Sequence, residues 1–180
     1  ELARLADLHL QLHPGTNVAL LNGMGHVIAK EHLTDAAFVR DRTEGFEEWL
    51  AAVEDCPPAL TSKLTGVPAH LITEAARRYA KSGGSMAVHG LGMTAHRWGS
   101  HGVMALVNLA LATGNIGRPG TGINPLRGQN NVQGASDVGC LPTFFAGYQP
   151  FDDPELTAAH LAVTGRSLPT ARGMKTPDMW

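Results

Sequence analysis

Leu8, Leu10 and Leu12 alternate with His9 and Gln11 ahead of Pro14-Gly15, the period-two pattern of a strand with one leucine face, closed by a tight turn. The period then lengthens. Val18, Leu21, Met24 or Gly25, and Val27 or Ile28 recur at helical spacing to about Glu31, with Thr16 or Asn17 in the N-cap position. Residues 34–42 and 44–54 read as two short helices capped by Thr34 and Thr43, with acidic first turns and charges that suit a solvated face. After the Pro57-Pro58 break come a short helix at 59–64 and a longer one with Pro68 at its first position, striped by Leu71, Ile72, Ala75, Ala76 and Tyr79 and ended by Gly83-Gly84. Residues 86–88 form a short apolar strand that runs into Gly90 and Gly92. A helix at 103–112, apolar on nearly every side and therefore expected to be buried, stops at Gly114.

This order of strands and helices predicts an α/β fold, a partial open parallel sheet flanked by helices, with ligands gathering at the carboxyl ends of the strands. The two glycine-bearing turns, PGTN at 14–17 and GLGMTAH at 90–96, are then expected to line one crevice. A strand, a tight turn and a helix N-terminus also present backbone N–H groups that receive an anion such as a phosphate, although an ordinary connection has the same form. Gly23 and Gly25 each cost a helix about 1 kcal/mol relative to alanine, which points to close packing against a backbone or a ligand.

Periodicity fails after Gly114. The stretch from 115 to 150 reads as a long structured loop, because it lacks a repeat yet carries anchors such as Ile116, Leu126, Phe144, Phe145 and Tyr148. Between 101 and 150 the only Lys, Arg, Asp or Glu residues are Arg118, Arg127 and Asp137, so this half of the chain is expected to sit inside something. One arginine stands in NPLRGQNNVQG, residues 124–134, among three asparagines, two glutamines and two glycines. A buried arginine requires a partner, and its planar fork suits a carboxylate or phosphate. For Arg127 that partner is either an anionic ligand or a structural carboxylate such as Asp137. The chain therefore divides on sequence into 1–114, an α/β cofactor-binding segment, 115–150, an active-site loop region, and 151–180, a linker or lid with a helix at 154–163.

Composition narrows the class. A net charge of −2, with 43% hydrophobic and 17% charged residues over 180 positions, describes an ordinary folded domain without the basic field that would bind nucleic acid or an anionic membrane. There is no run of 18 apolar residues to span a membrane. Cys56 and Cys140 match no metal spacing and read as reduced, small buried residues of a cytoplasmic protein. ELARLAD starts inside an apolar-periodic segment, and KTPDMW stops just after Pro177, where a helix would begin, so the chain reads as an internal fragment.

The stretches ALLNGMGHVIAKEHLTDAAFVRDRTEGFEEW, LATGNIGRPGTGINPLRGQNNVQGASDVG and GYQP closely resemble the catalytic alpha subunit of molybdenum-dependent formate dehydrogenases, in the molybdopterin oxidoreductase superfamily. The resemblance spans essentially the whole chain, and the arginine of LRGQNNVQG marks the formate-type branch, since similar nitrate reductases usually lack it. It implies that the chain is a fragment of the molybdopterin-binding domains of such a subunit. It further implies that Arg127 holds the formate carboxylate, that Gln129 contacts the pterin, and that Gly15, Thr16 and Asn17 read the guanine dinucleotide arm of the cofactor. Asn17 departs from the family's usual Asp, keeping an acceptor without the charge. Leu91 and Ala95 stand where relatives carry Met and Gln beside the pterin, which shifts that contact toward backbone near Gly90 and Gly92. His96 fits relatives with a TQH sequence or, equally, a packed histidine; His101 carries no such signal.

The implied cofactor is molybdopterin guanine dinucleotide with Mo or W, alongside an iron–sulfur cluster of the parent outside these residues. No metal ligand is expected here: the family's cluster cysteines, its Cys or selenocysteine ligand with the neighbouring histidine, and the C-terminal cofactor-capping domain have no counterpart, and Cys140 lies after the arginine loop. The fragment alone is therefore expected to bind no complete cofactor and to be inactive. Expected partners are formate, the remaining domains of the parent chain and an electron-transfer subunit. Two other classes stay open, a non-catalytic nucleotide-binding module built on PGTN and a scaffold domain that docks a protein through the amide-rich loop.

Overall fold

The computed structural model describes residues 1–150, 152–169, 171–175 and 179; the helix start expected after Pro177 lies outside them. The chain forms two compact units, 1–126 and 127–180. In the first, α1 (Leu2–Leu5) is followed by α2 (Asn17–Lys30), α3 (Ala36–Arg42), α4 (Phe46–Glu54), α5 (Pro58–Thr65), α6 (Ala69–Lys81), β1 (Met86–His89), α7 (Leu91–Thr94), α8 (Gly99–Ala112) and β2 (Gly122–Pro125). In the second come α9 (Val132–Asp137), β3 (Phe144–Phe145), a 3₁₀ turn (Ala146–Tyr148), β4 (Gln149–Pro150) and α10 (Pro154–Thr164).

Helix α2 is the hub of the first unit, packed against α4, α5, α6 and α8. Its two glycines explain how the neighbours come so close. A Cβ on Gly23 would overlap the side chain of Thr61 in α5, and one on Gly25 would stand 3.0 Å from Val53 Cγ1 and 3.2 Å from the Trp49 ring in α4. The helix thus gives up propensity to gain backbone-close packing. Ile28, Ala76 and Leu109 are fully or almost fully buried in the same cluster, where α2, α6 and α8 meet; burying a side chain the size of Ile28 contributes about 1.5–3 kcal/mol.

The expected first strand does not form. Residues 8–13 are irregular; His13 N–H donates to Thr65 O at 2.8 Å, and no strand lies alongside. The alternation has a different cause, because Leu10 and Leu12 pack on Leu20, Val67 and Ile72. The parallel partner of β1 is instead β2, inside the stretch read as loop, in the register Met86↔Gly122 to His89↔Pro125. Helix α8 makes the crossover, as parallel pairing requires. Pro125 closes β2 at its end, where a missing N–H is tolerated.

The helix caps also shift. Asp35, not Thr34, caps α3 by accepting from Phe38 N–H at 2.9 Å, while α4 starts after Gly45 in the left-handed region rather than at Thr43, whose hydroxyl donates to Val39 O. Pro68 occupies the cap position of α6 instead of its first turn. Helix α8 starts at Gly99 and is not buried all round, since Met104 is 61% exposed.

One buried amide ties the sheet to the helices. Asn115, just beyond α8, accepts from Ser85 N–H at 2.9 Å and donates to Tyr79 O at 3.3 Å and Thr113 Oγ1 at 2.9 Å. It joins the end of α6, the start of β1 and the end of α8.

In the second unit, α9 packs on the 3₁₀ turn. Gly139 allows it: the residue has φ +89°, and a Cβ there would meet Ala146 N at 2.8 Å, a backbone atom that cannot step aside. Within this chain residues 124–130 are all exposed, whereas Ala105, Leu106, Leu109 and Ala110 of the same sparsely charged stretch are buried. Helix α10 is capped by Asp153, which accepts from Glu155 and Leu156 N–H, and runs one residue beyond the expected 163.

Candidate functional site

The candidate residues divide between the two units. Gly15, Thr16 and Asn17, with Leu91, Gly92 and Ala95, belong to the first; Arg127 and Gln129 belong to the second.

At the start of α2, Thr16 holds the N-cap position but its hydroxyl turns back to donate to His13 O at 2.6 Å. No side chain caps the first turn of this 14-residue helix, so its leading N–H groups and positive dipole end keep their capacity for an anion. Gly15, with φ +84°, makes the turn, and open space lies where its Cβ would be. A cavity of about 480 Å³ opens here, lined by Gly15, Thr16, Val18, Ala19, Asn22, Cys56, Leu64, Trp98 and His101. A second, of about 390 Å³, shares Val18, Asn22 and His101 and extends between α4 and α8 past Trp49, Met104 and Asn108. The GLGMTAH turn does not line this cavity with the PGTN turn; Trp98 and His101, just past it, do so instead.

Trp98 is half exposed, its ring covered by the Arg97 guanidinium at 5.2 Å and met edge-on by His101 at 5.3 Å. An anion-receptive helix end beside an indole face, a histidine and the Asn22 amide fits a flat heterocycle carrying a phosphate. Asn17 is the first residue of α2 but does not line the cavity. His101, Trp98 and Asn22 went unmarked in the sequence because they are scattered over two helices and share no spacing.

Leu91, Gly92 and Ala95 are exposed on and just after α7 and line neither cavity. Cβ atoms at Gly90 and Gly92 would meet nothing within 4 Å. Beside them, at the carboxyl end of β1, His89 Nδ1 is buried without a hydrogen-bond partner. An open backbone edge next to an orphaned ring nitrogen fits a polar ligand group at the end of the strand. His96 is exposed, its Nε2 2.8 Å from Gly92 O, and is not a packed histidine.

Neither cysteine is a buried apolar residue. Cys56 is half-buried on the cavity wall, where burial, reinforced by the Asp55 carboxylate, pushes its thiol above the ordinary range; Cys140 is exposed. Among the described residues no three His, Cys, Asp or Glu side chains come together as a metal site.

In the second unit, Arg127 is exposed and makes no direct contact with Asp137. Its Nη2 donates to Gln133 Oε1 at 3.1 Å, and Gln133 Nε2 donates to Asp137 Oδ1 at 3.4 Å and to Tyr148 OH at 3.3 Å. Gln133 and Asp137 stand one turn apart on α9, which Asn131 starts in the left-handed region with φ 48°. A cation held by a neutral amide keeps its charge for an anion. Gln129 lies in the exposed bend between Arg127 and α9.

The molybdopterin oxidoreductase family profile matches residues 2–177. Formate dehydrogenase H of Escherichia coli is 46% identical over 180 residues, 99% of this chain and 25% of that protein. The F420-dependent formate dehydrogenase 1 subunit alpha of Methanococcus maripaludis is 51% identical over 147 residues, 82% of this chain and 22% of that protein. Acetylene hydratase from Pelobacter acetylenicus shares the fold with a TM-score of 0.65 and 28% identity, over 67% of this chain and 16% of its own. The chain spans about a quarter of the length of the curated relatives it matches.

Proposed function

Since the chain belongs to the molybdopterin oxidoreductase family, we propose that it is part of the catalytic subunit of a formate dehydrogenase, with Arg127 as the residue that holds formate. The observation that carries this reading is the state of Arg127: exposed, oriented by the neutral amide of Gln133, and in no ion pair among the described residues. Such a guanidinium can receive both oxygens of a small carboxylate and fix the direction of its C–H bond. Oxidation of formate releases carbon dioxide, one proton and two electrons, and the carboxylate loses its charge as the C–H bond breaks. A fixed cation therefore acts in binding and orientation.

Molybdopterin guanine dinucleotide carrying Mo or W, when bound, supplies the two-electron acceptor. In this reading the start of α2 would hold the guanine dinucleotide arm, with Gly15, Thr16, Trp98 and His101 lining the cavity and Asn17 beside it as the first residue of the helix. The backbone from Gly90 to Ala95, including Leu91 and Gly92, would hold the pterin, and Gln129 would contact it. An iron–sulfur cluster of the parent and an electron-transfer subunit carry the electrons onward. Free thiols at Cys56 and Cys140 fit a cytoplasmic setting. Among the described residues no helix is long and apolar enough to cross a membrane.

Fold alone does not fix the reaction, since one protein sharing it is named a hydratase. The reading is tested by supplying the purified parent holoenzyme with ¹³C-formate and an artificial electron acceptor, then with nitrate and an electron donor. Labelled carbon dioxide from formate, with no nitrite from nitrate, is the expected result. Nitrate turnover with formate left untouched would assign the chain to another branch of the family.

A further inference from the structure

We propose that Gln133 is the positioning residue of the arginine loop, an oriented neutral amide that aims the Arg127 guanidinium while leaving its charge free for formate. The inference rests on the reading of Arg127 as the formate-holding residue and adds what sets its direction. An amide has one accepting and one donating end, and its neighbours decide which end points where. Asp137 offers a carboxylate, which accepts only, so the Nε2 end of Gln133 faces it, at 3.4 Å, with Tyr148 OH accepting the second N–H at 3.3 Å. That leaves Oε1 for Arg127, which donates only, at 3.1 Å. The reverse orientation would set N–H against guanidinium and oxygen against carboxylate.

The chemical identity of this partner follows from its task. A glutamate at 133 would reach the guanidinium with the same geometry but would neutralise it and compete with the substrate for it. An apolar side chain would leave the charge intact and release the aim. The carboxylate of Asp137 serves from one residue further away, by polarising the amide rather than by pairing with the arginine. Tyr148 has φ 59° and its ring lies 6.2 Å from that of Phe144, so its hydroxyl is presented from a turn braced by an aromatic contact.

The test uses the parent holoenzyme, reduced beforehand so that bound formate cannot be oxidised, with formate affinity measured by calorimetric titration. Gln133→Leu is expected to weaken formate binding about threefold to tenfold, the scale of one lost orienting hydrogen bond. Gln133→Glu, the closer match in shape, is expected to weaken it further, by more than about tenfold, because it occupies the guanidinium with a permanent anion. This ranking separates positioning from packing: a residue that merely fills space would be disturbed least by the isosteric glutamate. Gln133→Glu binding formate as well as, or better than, Gln133→Leu would overturn the proposal. Arg127→Ala run in parallel separates the two levels. An unchanged affinity there sinks the formate-holding reading itself, whereas a large loss with both Gln133 variants at wild-type affinity removes only the positioning role.

Discussion

Arg127→Ala in the parent holoenzyme is expected to lower kcat/KM for formate on the order of 10²–10³-fold, the scale seen when a charged or oriented donor to a reacting carboxylate or oxyanion is removed. Molybdenum content and the far-UV spectrum should stay at wild-type values, because Arg127 is exposed and its only hydrogen bond recorded among the described residues goes to a side chain, Gln133. Arg127→Lys should recover part of the loss. Lysine restores the charge as a point but not the planar two-point fork. Near-wild-type turnover by Arg127→Ala, together with loss of a protein complex, would instead support a docking role for the amide-rich loop.

The second large effect is on stability. Asn115→Ala should destabilise the chain by about 3 kcal/mol, since it removes three hydrogen bonds at a site 2% exposed and leaves a small cavity. For a chain of this size that is a fall in Tm of about 6–12 °C. Asn115→Asp keeps the acceptor for Ser85 N–H but loses both donated bonds and buries a charge, so it should not rescue. A urea titration of the two variants beside wild type measures this, and a loss below about 0.5 kcal/mol, the scale of an ordinary surface change, would mean that the amide does not brace the α6–β1–α8 junction.

The structural role of Asn115 is hidden in the sequence for a physical reason. Its partners, Tyr79, Ser85 and Thr113, become neighbours only once α6, β1 and α8 have packed. Helical periodicity, by contrast, is a local property, and α2, α6 and α8 were legible from it, as was the α/β class. The failures share one origin. Alternation at Leu10 and Leu12 records which side chains turn inward, and packing on Leu20 of α2, on Val67 and on Ile72 of α6 produces the same alternation as packing in a sheet. Conversely, Gly122–Pro125 has no alternation to show, because it is a four-residue strand whose existence depends on the free edge of β1. The caps moved by one or two residues wherever Asp, Thr and Gly stood close together and local hydrogen-bond geometry chose among them.

For the site, the resemblance singled out Arg127, and the structure adds its surroundings. Asp137 was a reasonable direct partner on charge alone. The observed link runs through Gln133, which no charge argument could select. Similarly, the PGTN turn was visible as a glycine turn before a helix, while Trp98 and His101 reach its cavity from the far side of some eighty residues of chain. In both places the anion-receptive group could be read locally and the residues that shape its surroundings could not.

The central claim, that Arg127 holds formate by its carboxylate, is tested most directly by a crystal structure of the reduced parent holoenzyme with formate bound. Two nitrogens of the Arg127 guanidinium are expected at about 2.7–2.9 Å from the two formate oxygens, with Gln133 still accepting from a remaining N–H. Formate bound elsewhere, with Arg127 engaged only by Gln133 or folded onto Asp137, would contradict it.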